Sequence, residues 1–183
     1  HLSACPLLVE YAKRLNLENY IVVSPDVGNV KRARKFAQML GCGLAIVDKR
    51  RPEPNVAEVM NIIGEIRGYN VFMFDDMIDT AGTIVNAALA LKERGARDIY
   101  ACCTHPVFSG NALQKIQDSP LKEVIVTDTI PLNDKKPNDK IKVVSVAELL
   151  AKAIDRIHSH SSVSELFNEP INLQIVKVGE TSL

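Results

Sequence analysis

Residues 69–83, YNVFMFDDMIDTAGT, contain the pattern that decides the fold. The almost wholly apolar run 69–74 has the length of a strand that is covered on both faces. It leads directly into a turn rich in acids and threonines, and an Ala- and Leu-rich helical pattern follows over 82–94. A buried strand that passes through a short loop into a helix is the unit from which parallel α/β sheets are built.

The rest of the chain repeats this alternation of short apolar runs and helical periodicity. The predicted strands are 20–24, 44–48, 98–104, 123–127 and the short 141–145, and the predicted helices are 30–40, 111–117 and 146–158. The stretch 55–63 fits either a strand or a short helix. We therefore predict a doubly wound α/β domain, with a mostly parallel sheet and helices on both faces. Ligands of such folds bind beyond the carboxyl ends of the strands.

Composition excludes several classes of protein. The chain has 183 residues, with 22 basic and 22 acidic side chains, so its formal net charge is zero. One domain is the simplest organisation for this length. Zero net charge argues against a generally basic nucleic-acid-binding protein, and no apolar run approaches the about 20 residues that cross a membrane. Four cysteines without C-x-x-C spacing, and no basic-then-apolar leader, favour a reduced cytoplasmic protein.

The loop after the apolar run 69–74 combines carboxylates with groups that bind phosphate. The acids are Asp75, Asp76 and Asp79, and they are followed by Thr80, Ala81, Gly82 and Thr83. Unpaired N–H groups at the start of a helix converge on a phosphate, Gly82 permits close backbone approach, and the Thr80 and Thr83 hydroxyls add donors. Carboxylates accept hydrogen bonds from sugar hydroxyls, so a sugar phosphate satisfies both halves. The alternative is that Asp79 or Thr80 merely caps the helix.

A second polar loop, residues 24–29 (SPDVGN), follows the first predicted strand. It contains Asp26, Gly28 and Asn29, and the helix after it carries basic side chains. An acid beside a glycine turn and cations suits a magnesium–phosphate contact, because Mg²⁺ prefers one or two carboxylates plus substrate oxygens. A capped turn explains the segment equally well.

A third loop, residues 48–55 (DKRRPEPN), places Lys49, Arg50 and Arg51 just beyond a strand. Three adjacent cations can close over phosphates and neutralise the charge that develops during group transfer. A solvated basic loop is the alternative.

The histidines and paired cysteines have simpler interpretations. His105 lies at the end of a strand, where a structural role is the more ordinary one, and Ser109 is predicted to cap the next helix. His158 and His160 are two residues apart, a poor spacing for two metal ligands on one helical face, so we expect them on the surface. Adjacent Cys102 and Cys103 are predicted to lie in or beside the core.

These motifs together resemble those of a known family. FDDMIDTAGT (74–83) is similar to the phosphoribosyl-binding loop of the type I phosphoribosyltransferase fold, which phosphoribosyltransferases share with ribose-phosphate pyrophosphokinases (PRPP synthetases). SPDVGNVKRA resembles the synthetase pattern S-P-D-x-G-G-x-x-R-A. Asn29 replaces its second glycine, and asparagine tolerates left-handed backbone better than most residues. DKRRPEPN matches the catalytic loop of the synthetases, which phosphoribosyltransferases lack, and CCTHPVFSGNA resembles their C-T-H-P-V-x-S-G stretch.

The resemblance implies the carboxyl-terminal half of a PRPP synthetase over residues 1–167, followed by an extension, 168–183. Alternation of Ile171, Leu173 and Ile175 predicts an added strand in that extension. The family transfers the diphosphoryl group of ATP to the anomeric hydroxyl of ribose 5-phosphate, which yields PRPP and AMP. The resemblance also implies Mg²⁺ as cofactor and a homo-oligomer. Because adenine recognition belongs to the amino-terminal half, we expect this chain to bind ribose 5-phosphate but to turn over poorly alone.

The family's roles carry over onto matching positions. Lys49 and Arg51 would stabilise the transferred group, Asp75 and Asp76 would hold ribose hydroxyls directly or through Mg²⁺, and residues 79–83 would hold the 5-phosphate. Asp26, with Gly28 and Asn29 in the pyrophosphate loop, would contact a second Mg²⁺, and Ser162 and Ser164 match serines of the regulatory phosphate site. Two alternatives stay open: a phosphoribosyltransferase that uses PRPP as donor, and a non-catalytic regulatory subunit related to the synthetases.

Overall fold

The computed structural model describes residues 2–50, 59–132, 138–167 and 172–176, and at positions 49, 50, 59 and 167 it describes the main chain. The helices are α1 (Cys5–Arg14), α2 (Val30–Leu40), α3 (Gly82–Glu93), α4 (Ala112–Asp118) and α5 (Ala147–His158), with a 3-10 turn at Val163–Phe167. The strands are β1 (Tyr20–Ser24), β2 (Leu44–Arg50), β3 (Val59–Ile63), β4 (Asn70–Ile78), β5 (Ile99–Pro106), β6 (Leu121–Thr127), β7 (Ile141–Val144) and β8 (Ile175–Val176).

The described strands form one sheet in the order β3-β2-β1-β4-β5-β6-β7-β8. The six central strands are parallel, and the edge strands β3 and β8 are antiparallel to their neighbours. From β1 the chain first winds towards β2 and then returns to β4 on the other side, so the winding direction reverses between β1 and β4. The carboxyl ends of β1 and β4 therefore border the crevice where ligands of doubly wound folds bind.

Two apolar layers cover the two faces of the sheet. Successive strand residues point to opposite faces, so Val22 and Phe72 join the layer beneath α1, α2 and α5, whereas Val23 and Met73 join the layer beneath α3 and α4. Phe72 stacks on Tyr100 with ring centroids 5.0 Å apart. Burial on both faces explains why the central strands are uninterrupted apolar runs, and the predicted fold class is confirmed.

Three local predictions are corrected. Strand β4 continues to Ile78, beyond the expected end at Phe74, because Met77 and Ile78 pair with the end of β5. Helix α1 was not predicted, although Pro6 in its first turn is a recognisable start signal. Ser109 does not cap α4: the cap position is Asn111, and it makes no side-chain cap hydrogen bond. The stretch that fitted strand or helix is a strand over Val59–Ile63.

The expected added strand is present in short form. Ile175 and Val176 pair antiparallel with Val144 and Val143. Leu173 is buried against the layer beneath α1, α2 and α5. Position 171 lies outside the described residues. No helix within the described ranges is long and apolar enough to span a membrane.

Candidate active site

The loop over residues 79–83 connects β4 to α3 at the crevice. Helix α3 begins at Gly82 after Ala81, which is buried and adopts left-handed backbone with φ +60°. No side chain caps this helix start, so the alternative in which Asp79 or Thr80 serves only as a cap does not hold. The unusual backbone thus lies at Ala81 and not at Gly82, where an added Cβ would find Thr80 Oγ1 as its nearest neighbour, at 3.9 Å. The first N–H groups of α3 are available to an anion.

A cavity of about 180 Å³ opens beside this loop. Its lining is formed by Asp26, Asp75 and residues 77–84. Thr80 and Thr83 are exposed, so their hydroxyls can reach a ligand. The cavity therefore combines a helix start with three carboxylates, those of Asp26, Asp75 and Asp79, and this kind of combination is what the sequence predicted for a sugar phosphate.

The segment 105–111, which follows the neighbouring strand, holds the loop over residues 79–83 by backbone hydrogen bonds. The Phe108 N–H donates to Ile78 O at 3.1 Å, and the Ser109 N–H donates to Asp79 O at 3.0 Å. Lys115 Nζ donates to Thr80 O at 3.1 Å. The sequence analysis predicted a helix cap at Ser109 but assigned this segment no chemical role, and its C-T-H-P-V-x-S-G pattern was the available signal for the contact with residues 79–83.

The loop after β1 is closed by Asp26. Its Oδ1 accepts a hydrogen bond from the Asn29 N–H at 2.9 Å, and its carbonyl accepts one from Ser24 Oγ at 2.7 Å. An added Cβ at Gly28 would lie 3.3 Å from Asp26 Oδ1, so glycine leaves room for this carboxylate. Asn29 has φ −94°, so its tolerance of left-handed backbone is not used.

Instead, the Asn29 side chain joins the two loops. It is 3% exposed, and its Nδ2 donates to Phe74 O at 2.5 Å and to Asp75 Oδ1 at 3.2 Å. Its Oδ1 accepts from Arg32 at 3.3 Å, and Arg32 in turn forms an ion pair with Asp76 at 2.9 Å. The sequence prediction treated Asn29 as a loop residue and missed both this side-chain role and the contribution of Arg32.

Asp75 and Asp76 line different cavities, because neighbouring strand residues point to opposite faces. Asp75 lines the 180 Å³ cavity with Asp26, whereas Asp76 lines a cavity of about 350 Å³ with Arg32, Lys35 and His105 among others. Burial first, and then the carboxylates of Asp76 and Asp26, raise the pKa of Asp75 from 3.8 to about 7. Asp75 and Asp76 thus line different cavities although their carboxylates interact, and the role of both acids in holding ribose hydroxyls stays a prediction.

Asp75 is expected to make the stability of the ligand-free chain depend on pH. Its folded pKa is raised, so the native state holds more protons than the unfolded state between pH 3.8 and about 7. The free energy of unfolding must then fall as pH rises through this window. Asp75→Asn should stabilise the chain more at pH 8 than at pH 5 in urea unfolding experiments. Equal effects at both pH values would contradict the raised pKa.

The donor set fits Mg²⁺ only together with ligand oxygens. Among the described side chains no three of His, Cys, Asp and Glu are grouped as a metal site. Asp26 and Asp75 nevertheless face one cavity, and Mg²⁺ uses one or two carboxylates when substrate oxygens complete its shell. Asp76 forms an ion pair with Arg32, and its predicted role as a metal ligand stays a prediction.

The predicted catalytic cations lie at the edge of what is described. The Lys49 main chain belongs to β2 and pairs with Met60 of β3. Lys49 is three residues further along β2 than Ile46, the partner of Ser24, so it stands roughly 10 Å beyond the end of β1. Arg51 and the side chains of Lys49 and Arg50 lie outside the described residues.

The remaining predicted residues lie elsewhere. Ser162 and Ser164 are exposed, with hydroxyls 3.0 Å apart, and the Ser162 carbonyl accepts from Arg156 at 2.8 Å. His105 bonds Thr129 Oγ1 at 2.9 Å, which supports the structural interpretation. The two other histidines named above are exposed, as expected. All four cysteines are free. Cys102 and Cys103 are fully buried, which confirms them as core residues, and this burial raises the pKa of both thiols.

Comparison with known proteins agrees with this geometry. The family model of the phosphoribosyl synthetase-associated domain matches residues 51–168. The chain is 55% identical over 170 residues to a ribose-phosphate pyrophosphokinase of Fusobacterium nucleatum, a match that covers 92% of this chain and 54% of that protein. It is 54% identical over 168 residues to the Bacillus subtilis ribose-phosphate pyrophosphokinase, with 92% and 53% covered. The chain thus spans about half the length of these relatives.

Solved structures show the same relationship. Phosphoribosylpyrophosphate synthetase from Mycobacterium smegmatis superimposes with a TM-score of 0.81 and 37% identity, over 88% of this chain and 52% of that chain. Adenine phosphoribosyl transferase from Trypanosoma brucei matches with a TM-score of 0.51 and 16% identity, over 61% of this chain and 54% of that chain, which is a likeness of fold alone. The chain belongs to the phosphoribosyl synthetase-associated domain family, as its three loop motifs implied.

Proposed function

We propose that this chain is the ribose 5-phosphate-binding part of a ribose-phosphate pyrophosphokinase. The complete enzyme would transfer the diphosphoryl group of ATP to the anomeric hydroxyl of ribose 5-phosphate and release PRPP and AMP. One observation carries the proposal: an uncapped helix start and the Asp75 carboxylate open onto a single cavity. A helix start is suited to bind a phosphate, and a carboxylate is suited to accept hydrogen bonds from hydroxyls.

The proposed pose follows from these two groups in the lining of the cavity. The 5-phosphate would bind the N–H groups that begin α3, with the Thr80 and Thr83 hydroxyls as further donors. Asp75 would accept a hydrogen bond from a ribose hydroxyl. Asp76 would act on the other side of β4, where its partner Arg32 supplies positive charge.

Asp26 and Asp75 are the residues that would hold Mg²⁺ together with ligand oxygens. The ion would supply charge neutralisation for the phosphate groups that approach the site. Between two carboxylates a polyphosphate meets repulsion, and a divalent cation removes that obstacle. The side chain of Asp26 is already oriented by the Asn29 N–H, so it requires little rearrangement.

In diphosphoryl transfer the protein contributes mainly by positioning the reactants and stabilising charge, and little by covalent chemistry. Lys49 and Arg51 are the proposed source of positive charge on the transferring group. The adenine site, ATP binding and homo-oligomer formation would involve the part of the enzyme that corresponds to the other half of its relatives. Four free cysteines support a reducing compartment such as the cytoplasm.

The experiment that tests the proposal is calorimetric titration of the chain with ribose 5-phosphate in the presence of Mg²⁺. We expect saturable binding that is lost when ribose replaces ribose 5-phosphate. Thr83→Val should weaken binding about tenfold or more, because one charge-assisted hydrogen bond contributes roughly 1.5–3 kcal/mol.

Thr129→Val is the matched control for this titration. Thr129 is also an exposed threonine after a strand, but it bonds His105 and Thr104 and does not line the cavity. Equal affinity for ribose and ribose 5-phosphate would refute the proposed function. Pyrophosphate release that requires both PRPP and a purine or pyrimidine base would instead favour a phosphoribosyltransferase.

A further inference from the structure

Asn29 stands where the similar synthetase pattern, S-P-D-x-G-G-x-x-R-A, has its second glycine. Unlike glycine, it has a side chain that makes hydrogen bonds. Its amide donates twice, to Phe74 O and Asp75 Oδ1, and accepts once, from Arg32. The side chain is 3% exposed, so these bonds form away from water, where a satisfied polar network is most rigid. A glycine could make none of the three.

The contacts of Asn29 determine how Asp75 is oriented. Asp75 Oδ1 accepts from Asn29 Nδ2 at 3.2 Å and from the Asp76 N–H at 2.8 Å. Two donors on one oxygen hold the plane of the carboxylate. Neither of these two donors uses Oδ2, and Asp75 lines the 180 Å³ cavity, so Oδ2 is the oxygen that we expect to face a ligand.

The same amide also orients the second carboxylate, through Arg32. One guanidinium nitrogen of Arg32 donates to Asn29 Oδ1 at 3.3 Å, and another pairs with Asp76 Oδ2 at 2.9 Å. Asn29 therefore contacts α2 on one side and β4 on the other, and both acids of the site are connected to it.

We propose that Asn29 is a positioning residue that orients Asp75 towards the sugar-phosphate cavity and couples the loop after β1 to the carboxylates of β4. Its effect on ligand binding rests on the proposed function, whereas its coupling to Asp75 does not. Asn29 would act only through Asp75 and Arg32, without touching the ligand.

The test is a double-mutant cycle of Asn29→Gly and Asp75→Ala, with ribose 5-phosphate and Mg²⁺ as the titrated probe. Asn29→Gly should weaken binding about tenfold when Asp75 is present, within the range of coupling between residues in contact. In the Asp75→Ala background the same substitution should change affinity less than about twofold, because the group it positions is gone. A merely structural role would cost the same factor in both backgrounds, and that result would overturn the proposal.

Asn70→Ala controls for the loss of a buried amide. Asn70 is also 3% exposed, and its Nδ2 donates to Glu18 O at 2.7 Å at the opposite end of β4. We expect it to lower the urea midpoint as Asn29→Gly does while leaving ribose 5-phosphate affinity unchanged. An affinity loss as large as that of Asn29→Gly would contradict a specific role for Asn29.

The same cycle measured by urea unfolding separates this inference from the proposed function. If the wild-type chain fails to bind ribose 5-phosphate, the proposed function is wrong. The ligand-free unfolding cycle still tests whether Asn29 and Asp75 are coupled. If the changes in urea midpoint for Asn29→Gly and Asp75→Ala do not add up to that of the double variant, the coupling is supported, and if they do add up, it is overturned.

Discussion

Replacing Lys49 with alanine is expected to lower the turnover number about 10²- to 10³-fold in an active enzyme that contains this chain, the loss typical of one group that stabilises developing charge. The β2 main chain carries Lys49 roughly 10 Å past the carboxyl end of β1. That is the edge of the sheet where Asp26 and Asp75 line the 180 Å³ cavity proposed to bind the sugar phosphate. A cation there can follow the transferring group without contacting bound ribose 5-phosphate, so KM for ribose 5-phosphate should change little.

A chimera that joins this chain to the amino-terminal half of the Bacillus subtilis relative provides the assay, with AMP formation from ATP and ribose 5-phosphate as the measurement. Lys92→Ala is the matched control. Lys92 Nζ donates to Arg97 O at 2.6 Å near the end of α3, so it lies away from the crevice. An unchanged turnover number for Lys49→Ala would remove Lys49 from catalysis. A correctly folded but inactive parent chimera would instead support a non-catalytic subunit.

Gly64→Ala should cost the chain about 3–5 kcal/mol of unfolding free energy, combining overpacking with backbone strain. Gly64 has φ +114°, and an added Cβ would lie 2.8 Å from Ala45 Cβ and 3.2 Å from Ala45 Cα. Ala45 is fully buried in β2, so it cannot move aside without displacing the strand. A loss of this size is a large fraction of the roughly 5–15 kcal/mol that stabilises a typical domain.

Gly68→Ala is the control for the backbone contribution. Gly68 also has positive φ, +77°, but no heavy atom lies within 4 Å of its added Cβ. It should cost only the left-handed penalty of about 1–2 kcal/mol. Urea unfolding at constant m value measures both variants. Equal losses of unfolding free energy for the two variants would show that the close approach of residue 64 to β2 does not add to the cost of the substitution.

Two elements that end at strong local signals were predicted to the residue. Strand β1 and helix α2 have the expected bounds, because Pro25 follows the strand and Gly41, with φ +73°, ends the helix. The predicted end of β4 was wrong because it depends on a non-local contact and not on a local signal. Asp75 and Asp76 look like loop residues, and only pairing with β5 keeps them in the strand.

In the candidate site, too, the features set by adjacent residues were predicted, and those set by packing were not. The acids, threonines and glycine of residues 74–83 are adjacent in the chain, so their pattern predicted a phosphate-binding loop and indicated the family. The left-handed residue in that loop was not identifiable, because Ala81 carries no signal for positive φ. That Asp75 and Asp76 line different cavities could be recognised only once the strand was known to include both residues.

The alternation of apolar strands and helices, and the three polar loops, are properties of contiguous residues, and for these the sequence was sufficient. The contacts that join the loops are not contiguous. Asn29 meets Phe74 and Asp75 across 45 and 46 residues, and those hydrogen bonds exist because β1 and β4 are neighbours in the sheet. A buried amide finds its partners through packing, so only the tertiary structure could reveal that Asn29 connects the two loops.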